Sequence, residues 1–381
     1  AQAAQQAEGA RAASIAAARA LALIYQRLEQ PDEEARTWER LYDLAPEELW
    51  NDVPVLLVLE RRYGQSGRHA EQAALLSRAL EHLLAEKARR PKDAELHSRR
   101  RALLLRLGDV QRDFLNAPAQ ATATFEQVHA EWPDEHAALL ALVDLYGVQG
   151  RAEEQLSALT TLLAVTEEPS ERSRLLFQHG ELDEKKGNIE EAFARYGQAF
   201  YLDASNRGAF TAYERLCYRR EQWQEALKIY DTALKLIETQ KTRSYRPADL
   251  HIRRGQVLLQ YLQKTDEALS HYLRALETDA ENDTTQTTIE RIYAGRNQWR
   301  ELLAAYEKRA GLVREDMKRV EILRRAARVA TAKLRDVAEA VRFYEKLHAV
   351  DPTDSEALDA LEHHYDRSQD FEKLHGLLST R

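Results

Sequence analysis

Residues 336–358 read DVAEAVRFYEKLHAVDPTDSEAL, and this stretch decides the fold. It has a small residue at Ala340, an aromatic residue at Tyr344, a hydrophobic residue at Leu347 and a proline at Pro352. Spacings of four and seven residues place the first three side chains on one face of a helix, and the Asp-Pro step ends that helix. The stretch therefore predicts the second helix of a helical hairpin and the turn that follows it.

The same spacing recurs earlier in the chain. The recurrences pair a small with an aromatic residue: Ala121 with Phe125, Ala192 with Tyr196, and Ala268 with Tyr272. A further small residue precedes each of them by 12 or 13 positions, at Gly108, Gly180 and Gly255. Because a small side chain lets two helices approach closely, we expect the first and second helices of each hairpin to cross at this point.

These hairpins resemble the tetratricopeptide repeat (TPR), whose second helix carries small, aromatic, small and proline residues at this spacing. A second type of hairpin alternates with the first and has aromatic residues six positions apart around its turn, as in Tyr293 and Trp299. The true period is therefore a pair of hairpins. The resemblance implies an all-α fold, a right-handed α-solenoid of about ten TPR-like hairpins.

Ten hairpins follow an N-terminal lead-in over residues 1–9 and are expected to form one continuous array over residues 10–381. We place them at 10–46, 49–90, 94–133, 134–169, 171–206, 207–243, 247–280, 283–316, 318–352 and 354–381. Residues 241–247, KTRSYRP, are predicted to be a longer, flexible connection. Because the chain starts at Ala1 without methionine and stops at Arg381 within a second helix, we expect a fragment that is truncated at its C-terminus as well.

Composition narrows the class of protein. The chain of 381 residues is 44% hydrophobic and 31% charged, as is typical of a long helical protein with solvated outer faces. Its net charge of −8 disfavours binding of nucleic acid through bulk charge. No run of about 18 apolar residues could span a membrane. The single cysteine, Cys217, excludes an internal disulfide framework and a cysteine-based zinc site.

Motifs for chemistry are missing from the sequence. It has no phosphate-binding glycine loop, nucleophile elbow or HExxH pattern. His363, His364 and His375 are close in sequence, but adjacent histidines on a helix point about 100° apart and chelate poorly. We therefore predict a protein that is not an enzyme and has no cofactor and no metal site.

The TPR resemblance implies that the first helices line a concave surface that binds a ligand. In the later hairpins the inward positions carry arginine repeatedly. The candidate partner-binding residues are Arg215, Tyr218, Arg219, Arg253, Arg291, Arg324 and Arg328. Arginine suits such a surface because its planar guanidinium pairs with carboxylates and stacks on aromatic rings. The alternative is that these arginines are solvated positions paired locally with Glu214, Glu290 or Glu321.

The function predicted is a scaffold that recruits another protein, or an acidic peptide segment, through the concave surface. The resemblance extends to long bacterial TPR scaffolds, which implies a role in motility, polarity or envelope assembly and a regulatory GTPase as one partner. We expect a cytoplasmic protein, with the periplasm left open, and no nucleic acid partner. An RNA-binding helical array of the HAT or PPR type and a structural spacer or oligomerisation module are the alternatives.

Overall fold

A computed structural model of the chain describes residues 2–45, 49, 53–90, 92–240 and 244–379. Side chains are described from residue 9 onward, except those of residues 53 and 240. Within these ranges the regular structure is helical throughout, so the predicted all-α class is confirmed. The chain divides into two compact units, residues 1–175 and 176–381.

Twenty α-helices are present in the described part of the chain. They are α1 (Gln2–Arg27), α2 (Pro31–Leu44), α3 (Val53–Gln65), α4 (His69–Arg89), α5 (Ala94–Asp113), α6 (Pro118–Glu131), α7 (His136–Gln149), α8 (Ala152–Val165), α9 (Pro169–Lys185), α10 (Ile189–Leu202), α11 (Arg207–Arg219), α12 (Trp223–Gln240), α13 (Pro247–Gln260), α14 (Thr265–Thr278), α15 (Asp283–Gly295), α16 (Trp299–Leu312), α17 (Asp316–Val329), α18 (Val337–Val350), α19 (Ser355–Ser368) and α20 (Phe371–Ser379). A π-helical segment, Ala330–Leu334, directly follows α17.

Successive helices form the ten predicted hairpins, one odd-numbered and one even-numbered helix in each. Helix α1 begins at Gln2, so residues 2–9 continue into the helix that follows. Of the predicted connection 241–247, residues 241–243 lie outside the described part. Beside them, the Tyr245 hydroxyl donates a hydrogen bond to the carbonyl of Ala204 at 2.7 Å. The continuity of the array over residues 10–381 stays a prediction.

The expected close approach within a hairpin occurs. A methyl group at Gly180 would lie 2.7 Å from the ring of Tyr196, and one at Gly255 would lie 2.9 Å from the ring of Tyr272. Real carbon atoms do not approach this closely, so a methyl group at either of these two positions would force the aromatic ring to shift. The rings of Tyr196 and Tyr272 are themselves buried. The small and aromatic positions of the sequence therefore mark one packing contact.

Every hairpin turn contains one residue with a left-handed backbone, with φ between 47° and 87°. These residues are Glu29, Gly67, Asn116, Gly150, Gly187, Glu221, Gln263, Asn297, Arg335 and Gln369. Seven of the turns are Schellman motifs. At Asn297, for example, the next N–H, of Gln298, donates to the carbonyl of Tyr293 at 3.0 Å. The second sequence pattern follows from this motif, because Tyr293 closes the turn and Trp299 begins the next helix.

Tyrosines at this position also connect a hairpin with the one before it. In unit 1, the Tyr146 hydroxyl donates to Glu126 of α6 at 2.9 Å, and Arg151 donates to the same carboxylate at 3.1 Å. In unit 2, Tyr365 and Lys373 contact Glu345 of α18 in the same way, at 2.8 and 3.1 Å. The repetition of this contact supports a period of two hairpins.

Arginines also satisfy carbonyl groups left free at helix ends. The Arg172 guanidinium donates to the carbonyls of Leu163 and Thr166 after α8, at 2.5 and 2.7 Å. Arg319 does the same for Ala310 at 3.1 Å and for Val313 at 2.8 Å after α16. Since the last carbonyls of a helix lack partners within it, these arginines complete the hydrogen bonding between successive hairpins.

We expect the left-handed turn residues other than glycine to lower the stability of the fold. Glu221 pays a conformational cost at φ 56° that glycine would not, so Glu221→Gly is expected to raise the free energy of unfolding by about 1 kcal/mol. Urea denaturation of the full chain measures this. Lys235→Gly, at an exposed position inside α12, is the control and should lower stability by about 1 kcal/mol. Equal destabilisation by both variants would contradict the prediction.

Candidate protein-binding surface

A group of three side chains recurs between neighbouring hairpins of unit 2. A tyrosine of a second helix and an arginine of a first helix share one glutamate. In the first example the Tyr196 hydroxyl donates to Glu184 of α9 at 3.0 Å. Arg215 of α11 donates two hydrogen bonds to the same carboxylate, each of 2.7 Å. This Tyr–Glu–Arg group connects the first helices α9 and α11.

The next first helices are connected in the same way. The Tyr230 hydroxyl donates to Glu214 of α11 at 2.6 Å, and Arg253 of α13 donates to that carboxylate at 2.5 Å. A looser version joins α15 and α17, where the guanidinium of Arg325 lies 3.7 Å from Glu290. The first helices are therefore connected in steps along the chain.

In the last two hairpins the arginine and the glutamate have changed places: the arginine is on the earlier first helix and the glutamate is on the later one. The Tyr344 hydroxyl donates to Glu356 of α19 at 3.1 Å, and Arg328 of α17 donates to the same carboxylate at 2.6 Å. Here the arginine belongs to the hairpin of the tyrosine, and the glutamate belongs to the next. Arg324, one turn before Arg328, pairs with Asp354, which also caps α19 by accepting from the N–H of Ala357 at 2.8 Å.

The arrangement fixes the charge states of its members. Hydrogen bonds from Arg215 keep the pKa of Glu184 below its ordinary value, and those from Arg328 do the same for Glu356. Burial raises the pKa of Tyr344 to about 12, so its hydroxyl remains a donor. The glutamates are thus charged acceptors at neutral pH, shared by two donors.

Four of the seven sequence-predicted residues lie in these contacts. Arg215, Arg253, Arg324 and Arg328 each pair with a carboxylate from a neighbouring hairpin. Pairing with Glu214 was the anticipated alternative, and it occurs for Arg253. These four arginines therefore have a structural role.

Arg219 and Arg291 differ from the other five candidates. Both are exposed, and neither side chain forms a hydrogen bond within the described residues. Arg219 lies one turn after Arg215 on α11, so the two share a face of that helix. That these side chains line a concave surface stays a prediction.

The remaining candidate, Tyr218, belongs to an aromatic cluster that sequence reasoning missed. Its ring meets those of Trp223 and Tyr261 edge to face, at centroid distances of 5.4 and 6.1 Å. Trp223 and Tyr261 stack on one another with their centroids 3.7 Å apart. The Tyr218 hydroxyl lies 3.2 Å from that of Tyr230. Tyr218 is therefore held in place by its neighbours, with the exposed Tyr261 at the edge of the cluster.

A second missed feature is a histidine pair between α13 and α14. The Nδ1 atoms of His251 and His271 lie 3.0 Å apart, and Nε of Arg254 donates to Nε2 of His271 at 2.8 Å. Because Nε2 of His271 accepts, its proton lies on Nδ1, which donates to His251. Arg254 also pairs with Asp231. Both imidazoles are neutral in this network.

Burial, as the largest cause, lowers the pKa of both histidines, that of His271 to about 4. The charges around the pair are those of Arg254, Arg274, Asp231, Glu238 and Glu277. Because the arginines oppose a further positive charge, acid would disturb the packing of the two helices of this hairpin.

The described ranges offer neither a metal-binding cluster nor a membrane-spanning helix. They contain no group of three histidine, cysteine, aspartate or glutamate side chains placed to hold a metal ion. None of the described helices combines the length and apolar character that crossing a bilayer requires.

The ten hairpins, with their small and aromatic crossings and Schellman turns, are those of a TPR-like helical repeat protein. A TPR protein from Parabacteroides merdae is similar over 71% of this chain and 96% of its own, with 16% identity and a TM-score of 0.35. The C-terminal part of a TPR repeat-containing protein from Cytophaga hutchinsonii is similar over 68% of this chain and 99% of its own, with 17% identity and a TM-score of 0.34.

YrrB, a TPR protein with an unusual peptide-binding site, is similar over 49% of this chain and 90% of its own, with 21% identity and a TM-score of 0.27. No protein-family model matches the chain, and no curated protein matches it.

The Tyr–Glu–Arg groups make a prediction about stability. Glu184→Gln removes the ion pair with Arg215 and should lower the free energy of unfolding at pH 7 by about 1 kcal/mol. Since the pKa of Glu184 is lowered in the folded chain, its contribution is present above the ordinary value of 4.5 and is lost as the pH falls further. Urea denaturation of the variant and the unmodified chain, at pH 7 and below pH 4.5, measures this difference in the free energy of unfolding.

The control for this variant is Glu181→Gln, which removes the same charge from an exposed position on the same helix, α9. It should leave stability within a few tenths of a kcal/mol of the unmodified chain. The ion pair would have no structural role if Glu184→Gln behaved like this control at neutral pH.

The histidine pair makes a prediction about pH. In the unfolded chain both histidines take up protons near pH 6.5, whereas folded His271 resists protonation down to about pH 4. Stability should therefore fall as the pH decreases through this window, by at most about 1.4 kcal/mol per pH unit for each proton. His271→Gln should show a weaker loss in urea denaturation between pH 7 and pH 5. The exposed His375→Gln is the control, and the same slope in both variants would refute the assignment.

Proposed function

We propose that the chain is a non-enzymatic scaffold that binds a partner protein through the first helices of unit 2. The observation that carries this proposal is the exposure of Arg219 and Arg291 on first helices, whereas the other candidate arginines are already paired. Arg215 and Arg253 neutralise Glu184 and Glu214 and connect successive first helices. The surface is thus held in position, and Arg219 and Arg291 are the cations on it that can meet an incoming carboxylate.

The partner that suits this surface is a protein with an acidic patch or segment. Tyr218 precedes Arg219 in sequence, and tyrosine and arginine are the residue types that often dominate binding energy at interfaces. On the sequence resemblance alone, the proposal also includes a bacterial protein in the cytoplasm. It further includes a role in motility, polarity or envelope assembly and a regulatory GTPase as the partner.

The test compares two double variants in affinity capture from the lysate of the source organism. Arg219→Glu with Arg291→Glu should abolish retention of a protein that the unmodified chain retains, and the purified partner should bind at least about 100-fold more weakly. Arg300→Glu with Arg314→Glu changes the net charge equally at exposed arginines elsewhere and is the control.

Other results would contradict the proposal. Retention of the same protein by both double variants would show that the partner binds elsewhere on the chain. Capture of RNA in place of a protein, with binding lost at moderate salt, would favour the helical RNA-binding array. Retention of nothing by the unmodified chain would favour the structural spacer.

A further inference from the structure

A groove of about 710 Å³ lies in unit 2 between the turn of the ninth hairpin and the second half of α19. Its lining includes the buried side chain of Tyr344. Val337, Val341 and Ala360 contribute apolar side chains, of which Val337 is 63% exposed. The groove is separate from Arg219 and Arg291, so its use goes beyond the function proposed above.

The charged residues that line the groove are basic. Arg335 and Arg367 are exposed there with His363, and no aspartate or glutamate is among the lining residues. Within the described part of the chain, the side chain of neither arginine forms a hydrogen bond or an ion pair. Asp336, next to Arg335 in sequence, is already engaged, because its carboxylate accepts from the N–H of Glu339 at 3.1 Å as the cap of α18.

This setting is unusual for unit 2. Arg324 and Arg328, on the helix before the groove, both pair with carboxylates of α19 or its cap. The chain has a net charge of −8, so a carboxylate is readily available to most of its cations. Two exposed arginines beside apolar side chains, with no acidic residue lining the same groove, therefore form a local site complementary to negative charge.

The backbone at the groove also differs from that of related turns. In the third, seventh and ninth hairpins the turn has one residue more than a Schellman turn and closes with a hydrogen bond six residues back, as from Asp336 to Ala330 at 3.1 Å. Of these three hairpins, only the ninth has a π-helical segment, Ala330–Leu334, directly before its turn. Such segments are rare and occur frequently at functional sites. This one places Arg335, at φ 55°, at the edge of the groove.

We propose that this groove binds an acidic segment of a partner protein in which carboxylates flank a large apolar side chain. The apolar side chain packs on Val337, Val341 and Ala360, and the carboxylates pair with Arg335 and Arg367. Pairing beside an apolar surface strengthens charge-assisted hydrogen bonds, and the planar guanidinium accepts a carboxylate in a bidentate manner. Glutamate or aspartate next to leucine or phenylalanine is the chemistry that fits.

The probe is a short fluorescein-labelled peptide of alternating glutamate and leucine, with a second peptide in which lysine replaces glutamate. Fluorescence anisotropy with the full chain should show binding of the glutamate peptide, weakening as the salt concentration rises toward about 0.15 M. The lysine peptide should not bind. Hydrogen exchange should slow at residues 331–341 and 360–368 when the glutamate peptide is present.

The variant Arg335→Gly with Arg367→Gln removes both charges, and glycine suits the left-handed backbone at position 335. It should weaken binding at least about 10-fold, the effect of losing about 1.4 kcal/mol. Arg300→Gln with Arg314→Gln, which removes two exposed arginines outside the groove lining, should bind as the unmodified chain does. Thermal unfolding of both variants checks that the fold is retained.

The proposal is overturned if the glutamate peptide fails to bind, or if the lysine peptide binds equally well. It is also overturned if the groove variant and its control bind alike, or if protection from exchange falls outside the two segments. Exchange protection at the two segments locates the peptide in the groove, so this test is separate from the capture experiment with Arg219→Glu and Arg291→Glu.

Discussion

The close crossing of the two helices in a hairpin is the contact on which the rest of the structure depends. Where the ring of Tyr196 lies on Gly180, a single methyl group would already be too close. The short Schellman turn provides no spare residues with which a poor crossing could be corrected. The ring is therefore fixed, and so is its hydroxyl, which reaches Glu184 at the surface. Packing inside a hairpin thus decides where charges meet between hairpins.

This coupling explains why the ion pairs recur although each is weak. An exposed pair such as Arg215 with Glu184 contributes little by itself, because water and salt screen it. A carboxylate that also accepts from a buried tyrosine is already oriented, so less side-chain entropy is lost when the arginine binds. The exchange of charges around Tyr344 supports this view, since the hydroxyl still finds a carboxylate when the glutamate comes from the next helix. The constant element is the tyrosine.

The sequence predicted the contacts that depend on local spacing and missed those that depend on stacking. Small and aromatic residues at fixed offsets identify each hairpin because they belong to one chain segment. The carboxylate partners are 31 residues from Arg215 and 28 from Arg328, on other hairpins, where no periodicity within a helix reveals them. The histidine pair escaped because His251 and His271 lie on different helices of one hairpin, 20 residues apart, where no spacing rule joins them. Arg335 escaped because it lies in a turn and has no inward helical position.

The difference between paired and unpaired arginines indicates which part of the surface of unit 2 is available to a partner. In a chain with more acidic than basic residues, an arginine on a helix face meets a carboxylate of its neighbour as a matter of course, as Arg215 and Arg253 do. A row of arginines in the sequence is therefore weak evidence for binding. An exposed arginine that lacks such a partner is stronger evidence, because folding has left its hydrogen-bonding capacity to the solvent. Where such an arginine also lies on a first helix, as Arg219 and Arg291 do, or beside an apolar groove, as Arg335 and Arg367 do, binding is expected, and the four arginines that stabilise the stacked hairpins are its support.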